Sequence, residues 1–268
     1  MELNNIKKII KDAEIVIITA GAGMGVDSGL PDFRGNEGMW KEYPPLKNNN
    51  YGFMEISNPV SFVEVPELVW SFYGHRYDLY TDTIPHEGFN LLKNLIKDKN
   101  DYFIVTSNVD GQFQKAGFDI EKIYEIHGRI HKFQCTECDK EPWVEKNKKF
   151  NVNKKDMILK YEDLPLCECG KLARPNIMMF SDYSFNIKEN NIQNRKYQNF
   201  LLKNRNKKIL VIEIGAGTAI PTIRNIGEGL LKNFSNSNLI RINPRESFGP
   251  EGTISIPKGS LEALQELI

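Results

Sequence analysis

Histidines and cysteines are the side chains in this sequence most readily read as chemistry. An imidazole ionises near neutral pH, so each of His75, His86, His127 and His131 is able to take a proton from a hydroxyl. Residue type alone does not choose among them, and a histidine that merely satisfies packing and hydrogen bonds is the commoner case. The 4 cysteines all lie between Cys135 and Cys169. Cys135-Thr-Glu-Cys138 has the spacing of a metal knuckle, and Cys167-Glu-Cys169 adds two thiolates one residue closer together than the usual pair. The expectation is one structural zinc, because four protein ligands leave no position open for substrate. The shortened second pair is expected to lack the tight turn that aims backbone N–H groups at sulfur.

Glycines supply a second kind of chemistry. After the apolar run Ile15 to Thr19 the chain reads GAGMGVDSGLPDFRG, from Gly21 to Gly35. Glycines at a strand-to-helix turn let backbone N–H groups approach a diphosphate, and a helix N-terminus favours its charge. The dehydrogenase fingerprint is not met, since Val26 stands where a third glycine is required. A second turn, GAGTA from Gly215 to Ala219, follows another apolar run, and a third run ends at Asn243. Strand ends of a doubly wound sheet face one crevice, so the three turns are expected to converge on one dinucleotide.

The elements that must position these residues are short apolar strands alternating with helices. Strands are read at Ile15 to Thr19, Tyr102 to Thr106, Ile209 to Ile214 and Leu239 to Ile242, and helices at Ile6 to Ala13, His86 to Ile96 and Ile192 to Leu202. The fold class is α/β: a doubly wound parallel sheet, Rossmann-like, with a small inserted lobe. The large lobe is assigned to residues 1–36, 86–130 and 176–268. A helical insertion rich in aromatics occupies about 37–85, and a cysteine-bearing insertion about 131–175. The stretch Lys47 to Asn50 reads as a mobile loop.

Composition narrows the partners. Lys plus Arg count 35 and Asp plus Glu count 35, so no broad field favours nucleic acid or an anionic membrane, and no direct nucleic-acid binding is expected. No apolar run approaches the roughly 20 residues of a membrane span, and a cytoplasmic location is expected.

Taken in order, GAG with SGLPDFRG, TSNVDG at Thr106, EIHG at Glu125, the paired cysteines and RPNIMMF at Arg174 resemble the sirtuin family across nearly the whole chain. The resemblance implies an NAD-dependent protein lysine deacylase that consumes NAD and yields nicotinamide, free lysine and O-acyl-ADP-ribose. It assigns Gly21, Ala22 and Gly23, with Gly215, Ala216 and Gly217, to the NAD phosphates. Asp32, Phe33 and Arg34 shape a loop around the nicotinamide ribose. Ser107, Asn108 and Asp110 hold that ribose and the carboxamide, and Asn243 touches the adenosine ribose. It selects His127 as the catalytic base, with Asn108 orienting the ribose or a water, and it places Met179 and Phe180 in the site for acylated lysine side chains of proteins.

The chain departs from the family pattern at Ser107, where a longer amide is usual, and at Gln112 and Phe113, which replace Leu and His. Gly215-Ala216-Gly217 stands for GTS, and Phe180-Ser181-Asp182 for FGE. Two other uses of such a fold stay open: ADP-ribosyl transfer or NAD hydrolysis, and nucleotide sensing without catalysis. Tyr73 and Arg76, at i and i+3 of a helix, share one face where a phenol and a guanidinium can meet a small anion. That pattern resembles sirtuins that remove acidic acyl groups such as succinyl. The competing reading is a packed aromatic with a surface arginine beside it.

Overall fold

Runs of β-branched residues with no polar face must be covered on both sides. Ile15–Ala20 (β1) is buried at every position, and so is Ile209–Ile214 (β6). The computed structural model describes residues 2–32, 35–145 and 148–268, and of residues 35–38 the backbone only. Among the described residues, β1 and β6 are the centre of a six-stranded sheet with Asp101–Thr106 (β2), Ile123–Glu125 (β3), Ser237–Ile242 (β7) and Thr253–Ile256 (β8). Its order is β3-β2-β1-β6-β7-β8 and every pairing is parallel. Counted within this sheet alone the order is 3-2-1-4-5-6, which reverses between β1 and β6 and opens a crevice there.

Side chains alternate across a strand, so β1 feeds two cores. Val16, Ile18 and Ala20 meet Leu3–Asp12 (α1), Glu87–Lys97 (α7) and Ser260–Leu267 (α11) through Ile6, Phe89 and Leu264. Ile15 and Ile17 face the opposite way, toward Tyr197 and Phe200 of Lys188–Asn204 (α9) and Leu230 of Thr222–Asn233 (α10). A short helix, Gln112–Lys115 (α8), follows β2.

A third core joins the two insertions. The first contributes Gly35–Glu42 (α2), Pro44–Asn48 (α3), Phe53–Ile56 (α4), Ser61–Glu64 (α5) and Pro66–Asp82 (α6). The second is carried on an antiparallel ribbon of Gly128–Cys135 (β4) and Ala173–Ile177 (β5). Trp70 of α6 stacks on Phe150 at 5.2 Å, meets Phe133 edge-on at 5.3 Å, and donates its indole N–H to Ala173 O at 2.9 Å. Aromatics of the helical insertion thus pack the two insertions together.

Two readings are corrected. Lys47 and Asn48 do not lie in a loop but close α3, which Pro44 starts. The ribbon was not expected, because its register shifts between Arg129 and Phe133 and the two-residue alternation is lost there. Among the described residues no helix is long and apolar enough to cross a membrane.

Candidate functional site

The β1 and β6 strands end side by side, with Ala20 opposite Ile214. The glycine turn after each therefore leaves the sheet at the same place. Gly21 N–H donates to Ile214 O at 2.9 Å, Gly23 N–H to Gly215 O at 3.0 Å, and Gly215 N–H to Ile242 O at 2.9 Å. A Cβ on Gly21 would stand 2.7 Å from Gly215 O, and one on Gly23 2.6 Å from Gly215 Cα. Both positions demand glycine for the contact between turns, whatever ligand lies above. The helix expected after Gly21 is a 3₁₀ segment, Ala22–Ser28, because Gly29 turns left-handed and ends it. The first turn therefore has no long helix dipole behind it.

A cavity of about 740 Å³ opens above the turns, within the size range of ligand sites. Its wall includes Gly21, Ala22, Gly23, Asp32, Ser107, Asn108, Asp110, His127, Gly215, Ala216 and Gly217, together with Tyr73, Arg76, Met179 and Phe180. The glycine turns bring bare backbone to one end and the helical insertion brings rings and a guanidinium to the other. A dinucleotide with an extended substrate beside it suits that shape and that donor set.

Geometry separates the histidines where residue type alone did not, and it sets apart the one that the resemblance selects. His75 bonds the Tyr43 hydroxyl at 2.9 Å. His86 caps α7, its Nδ1 accepting from Gly88 N–H at 3.0 Å while Nε2 lies 2.9 Å from Met24 O. His131 reaches Thr81 Oγ1 at 3.2 Å beside a smaller cleft. His127, in the turn between β3 and β4, lies on the wall of the large cavity. Burial holds its imidazole below the ordinary histidine pKa, against a hydrogen bond with the Ser107 backbone. The neutral form a base needs is therefore the resting form at pH 7. Gly128 beside it has φ 76°, and a Cβ there would come 2.1 Å from Asn176 O, so the HG pair is fixed by packing against β5.

Asn108 Nδ2 donates to Gly21 O at 3.0 Å, tying the end of β2 to the first glycine turn. Asp110 is buried, and that burial pushes its carboxyl up to about 6 despite the hydrogen bond from Gln112 N–H and the charge of Arg76. Gln112 and Phe113 are buried, Phe113 against Phe89 and Phe118, so the departure at this pair is one of packing.

At the other end of the cavity Arg76 is 8% exposed, which rules out the surface-arginine reading. Its Nε and Nη2 donate to the Tyr80 hydroxyl at 3.1 and 2.8 Å, and its guanidinium lies over Phe72, Tyr73 and Tyr80. Tyr80 was missed in the sequence, although it continues the stripe of Tyr73 and Arg76 one helical turn on. Ser57, Leu30 and Glu246 were missed with no sequence signal to find them. Arg174 Nη2 meets both oxygens of Asp182 at 2.9 and 2.8 Å in a buried pair, and Met179 N–H reaches Asp182 Oδ2 at 3.3 Å. The FSD variant thus still anchors the wall segment of Met179 and Phe180.

Asn243 is 1% exposed and its side chain is spent on the protein: Nδ2 donates to Ala216 O at 2.9 Å, and Oδ1 accepts from Arg245 and Glu246 N–H at 3.0 Å. It shapes the second glycine turn from beneath, while Glu246 lines the cavity and accepts from Thr218 N–H at 3.2 Å. Phe33 and Arg34 lie outside the described residues.

The sulfurs of Cys135, Cys138, Cys167 and Cys169 all lie within 4.8 Å of one another. Glu137 and Cys138 N–H groups point at Cys135 Sγ at 3.4 Å, as in a metal knuckle. The second pair corrects an expectation: a tight turn does form over Cys167 to Gly170, closed by Gly170 N–H donating to Cys167 O at 2.8 Å with Gly170 at φ 82°, and it faces Lys171 N–H to Cys169. Four mutually close thiols with backbone donors aimed at sulfur fit a tetrahedral zinc.

The Sir2 family model matches residues 21–202. An NAD-dependent protein deacylase of Aquifex aeolicus is 32% identical over 175 residues, 65% of this chain and 64% of that protein, so the match spans less than two thirds of its length. One of Leptospira interrogans serogroup Icterohaemorrhagiae serovar Lai is 30% identical over 252 residues, 93% of this chain and 89% of the relative. In fold, a solved Sir2 homolog–NAD complex agrees with TM-score 0.74 at 23% identity, covering 100% of this chain and 92% of that one. A Sir2 protein solved with a deacetylated p53 peptide and 3′-O-acetyl ADP-ribose agrees with TM-score 0.72 at 20% identity, covering 100% and 97%. With the crevice at the reversal of strand order, the paired glycine turns and His127 all inside the matched fold, the chain belongs to the Sir2 family.

Proposed function

We propose that this protein is an NAD-dependent protein lysine deacylase whose products are nicotinamide, free lysine and O-acyl-ADP-ribose. The observation that carries the reading is that His127, neutral at pH 7, shares one cavity with both glycine turns. A neutral imidazole is needed if a ribose hydroxyl must lose a proton before it attacks the acyl carbon. Direct NAD hydrolysis, or transfer to another nucleophile, has less need of that base, so His127 favours deacylation over either.

In this reading the acyl oxygen of the bound lysine attacks C1′ of the nicotinamide ribose, and nicotinamide leaves with the bonding pair. His127 takes the proton of a ribose hydroxyl, whose oxygen then attacks the acyl carbon; the lysine amine leaves with a proton as a water oxygen is taken up, so that the acyl group stays on the ribose as an ester and C1′ ends with a hydroxyl. Gly21, Ala22, Gly23, Gly215, Ala216 and Gly217 present backbone to the phosphates. Asp32 shapes the wall over the nicotinamide ribose, and Ser107 and Asn108 orient that ribose. Asp110 accepts from the carboxamide, and Met179 and Phe180 flank the lysine. Tyr73 and Arg76 face the acyl end, where a guanidinium among rings suits an acidic acyl group such as succinyl. The four cysteines hold a structural zinc that fixes the second insertion, and such a cluster of thiols suits a reducing compartment such as the cytoplasm. Residues 1–36, 86–130 and 176–268 are taken as the NAD-binding lobe, with 37–85 and 131–175 closing over it.

The test is incubation with NAD and a panel of acyl-lysine peptides, with products identified by mass spectrometry. O-acyl-ADP-ribose formed only with peptide is the expected result. Free ADP-ribose formed at the same rate without peptide would replace the reading with NAD hydrolysis.

A further inference from the structure

Residues 243–249 leave the end of β7 without regular structure, yet Arg245 and Glu246 of this stretch line the large cavity beside the second glycine turn. A backbone outside any ladder still needs partners for its N–H and C=O groups. Each polar group of Glu246 has one. Its N–H donates to Asn243 Oδ1 at 3.0 Å, its carbonyl accepts from Arg224 Nη1 at 2.7 Å, and its carboxylate accepts from Thr218 N–H at 3.2 Å and from the Thr218 hydroxyl. Arg224, on α10, is 5% exposed; its Nη2 donates to Phe248 O at 2.6 Å, and its guanidinium lies over the Phe248 ring, 4.9 Å from the centroid. One fork therefore spans two carbonyls of the same irregular loop. Phe248 O has a second donor in Arg241 Nη1 at 2.8 Å, so the Glu246 end of the loop depends on Arg224 more than the Phe248 end does.

We propose that Arg224 is a positioning residue for the adenosine end of NAD, acting through the Glu246 carbonyl. The proposal rests on the reading of the cavity as an NAD site. In the sheet, β1 and β6 lie between β2 and β7, so Glu246 lines the cavity away from Asn108 and Asp110, which follow β2 and are assigned to the nicotinamide ribose. A carboxylate fixed at that end accepts from hydroxyls such as those of a ribose. Ile223 also lines the cavity, whereas Arg224 does not, so the guanidinium works on the loop and not on the ligand. A loop already held in its binding shape spares the ligand the cost of ordering it. Without the fork the Glu246 carbonyl loses a charge-assisted bond, and part of that ordering falls to the dinucleotide.

The experiment is titration calorimetry of NAD, ADP-ribose and nicotinamide mononucleotide against the wild type, Arg224→Met and Arg224→Lys, with thermal unfolding to show that each variant is folded. Methionine keeps an unbranched side chain without donors, and lysine keeps the charge but lacks the planar fork that spans two carbonyls. The expected result is a Kd for NAD and for ADP-ribose that rises roughly tenfold in Arg224→Met and by less in Arg224→Lys, while that for nicotinamide mononucleotide, which lacks the adenosine, stays within about twofold. In steady-state assays the loss is expected in the KM for NAD and not in kcat at saturating NAD. Should Arg224→Met fail to fold, the lysine variant decides by the same comparison of ligands. If NAD affinity in the folded variants stays within about twofold of wild type, the loop does not need the fork and the proposal is overturned. An equal loss for nicotinamide mononucleotide also overturns it, because Arg224 then supports the fold and not the adenosine end. If the wild type binds none of the three ligands, the NAD reading itself fails and the proposal falls with it.

Discussion

Gly23 and Gly215, 192 positions apart in the sequence, meet backbone to backbone: a Cβ on Gly215 would stand 2.4 Å from Gly23 Cα, and one on Gly23 2.6 Å from Gly215 Cα. The crossing of the two turns is what puts both glycine loops on the wall of one cavity. Gly215 also has φ 67°, so alanine there is strained as well as crowded. Each Gly→Ala change is expected to destabilise the protein by roughly 1–3 kcal/mol, Gly215 more than Gly23, and to weaken NAD binding. Gly229, on α10, has open space at its Cβ and serves as the control, expected to be neutral or slightly stabilising. Urea unfolding and NAD titration calorimetry read all three; equal effects at Gly215 and Gly229 would refute the argument.

His127→Ala is expected to abolish acyl transfer while NAD affinity largely survives, because the glycine turns and not the imidazole hold the dinucleotide. In the wild type the base must be unprotonated, and burial lowers its pKa. The acidic limb of kcat is therefore expected below the ordinary histidine value of about 6.5. A limb at or above that value would show that burial does not govern this group in the working complex.

Asp110 is held at a cost to the fold. Its folded pKa of about 6 lies above the ordinary aspartate value of 3.8, so the folded state binds more protons between those values and stability falls as pH rises through that window. Asp110→Asn keeps the acceptor for Gln112 N–H and removes the buried charge. It is expected to stabilise the protein by roughly 2–3 kcal/mol above pH 6 and little near pH 4, while weakening NAD consumption. Unfolding curves at the two pH values test this, and an equal gain at both would exclude a titrating origin.

One zinc per chain is expected by metal analysis, and chelation is expected to lower the unfolding temperature, because binding free energy here is partly folding free energy. Cys169→Ser tests the turn at Gly170 specifically, with loss of metal as the outcome. A metal-free protein that melts like the wild type would mean the thiol cluster has no ion to hold.

Arg76→Met keeps the length of the side chain among Phe72, Tyr73 and Tyr80 and removes the charge. Desuccinylation is expected to drop roughly tenfold to a hundredfold more than deacetylation, the range for a hydrogen bond to a charged group. Equal losses in the two activities would assign Arg76 to the support of α6 and its aromatic neighbours.

The sequence by itself determined the four central strands of the sheet and the order of the motifs, while the short edge strands β3 and β8 escaped it. Runs such as Ile15–Ala20 and Ile209–Ile214 have no polar face, so they can only be buried strands, and glycines directly after them mark where the chain leaves the sheet. The spacing of Cys135 and Cys138 likewise announced a knuckle, a property of four consecutive residues. Tertiary structure decided what depends on distant segments meeting. It set His127 on the wall of the large cavity and the other three histidines outside it. It turned Asn243 inward under the second glycine turn and withdrew Arg76 from the surface into a ring of aromatics. None of these could be read locally, because a side chain's partners and burial are set by elements that the chain brings back from many residues away.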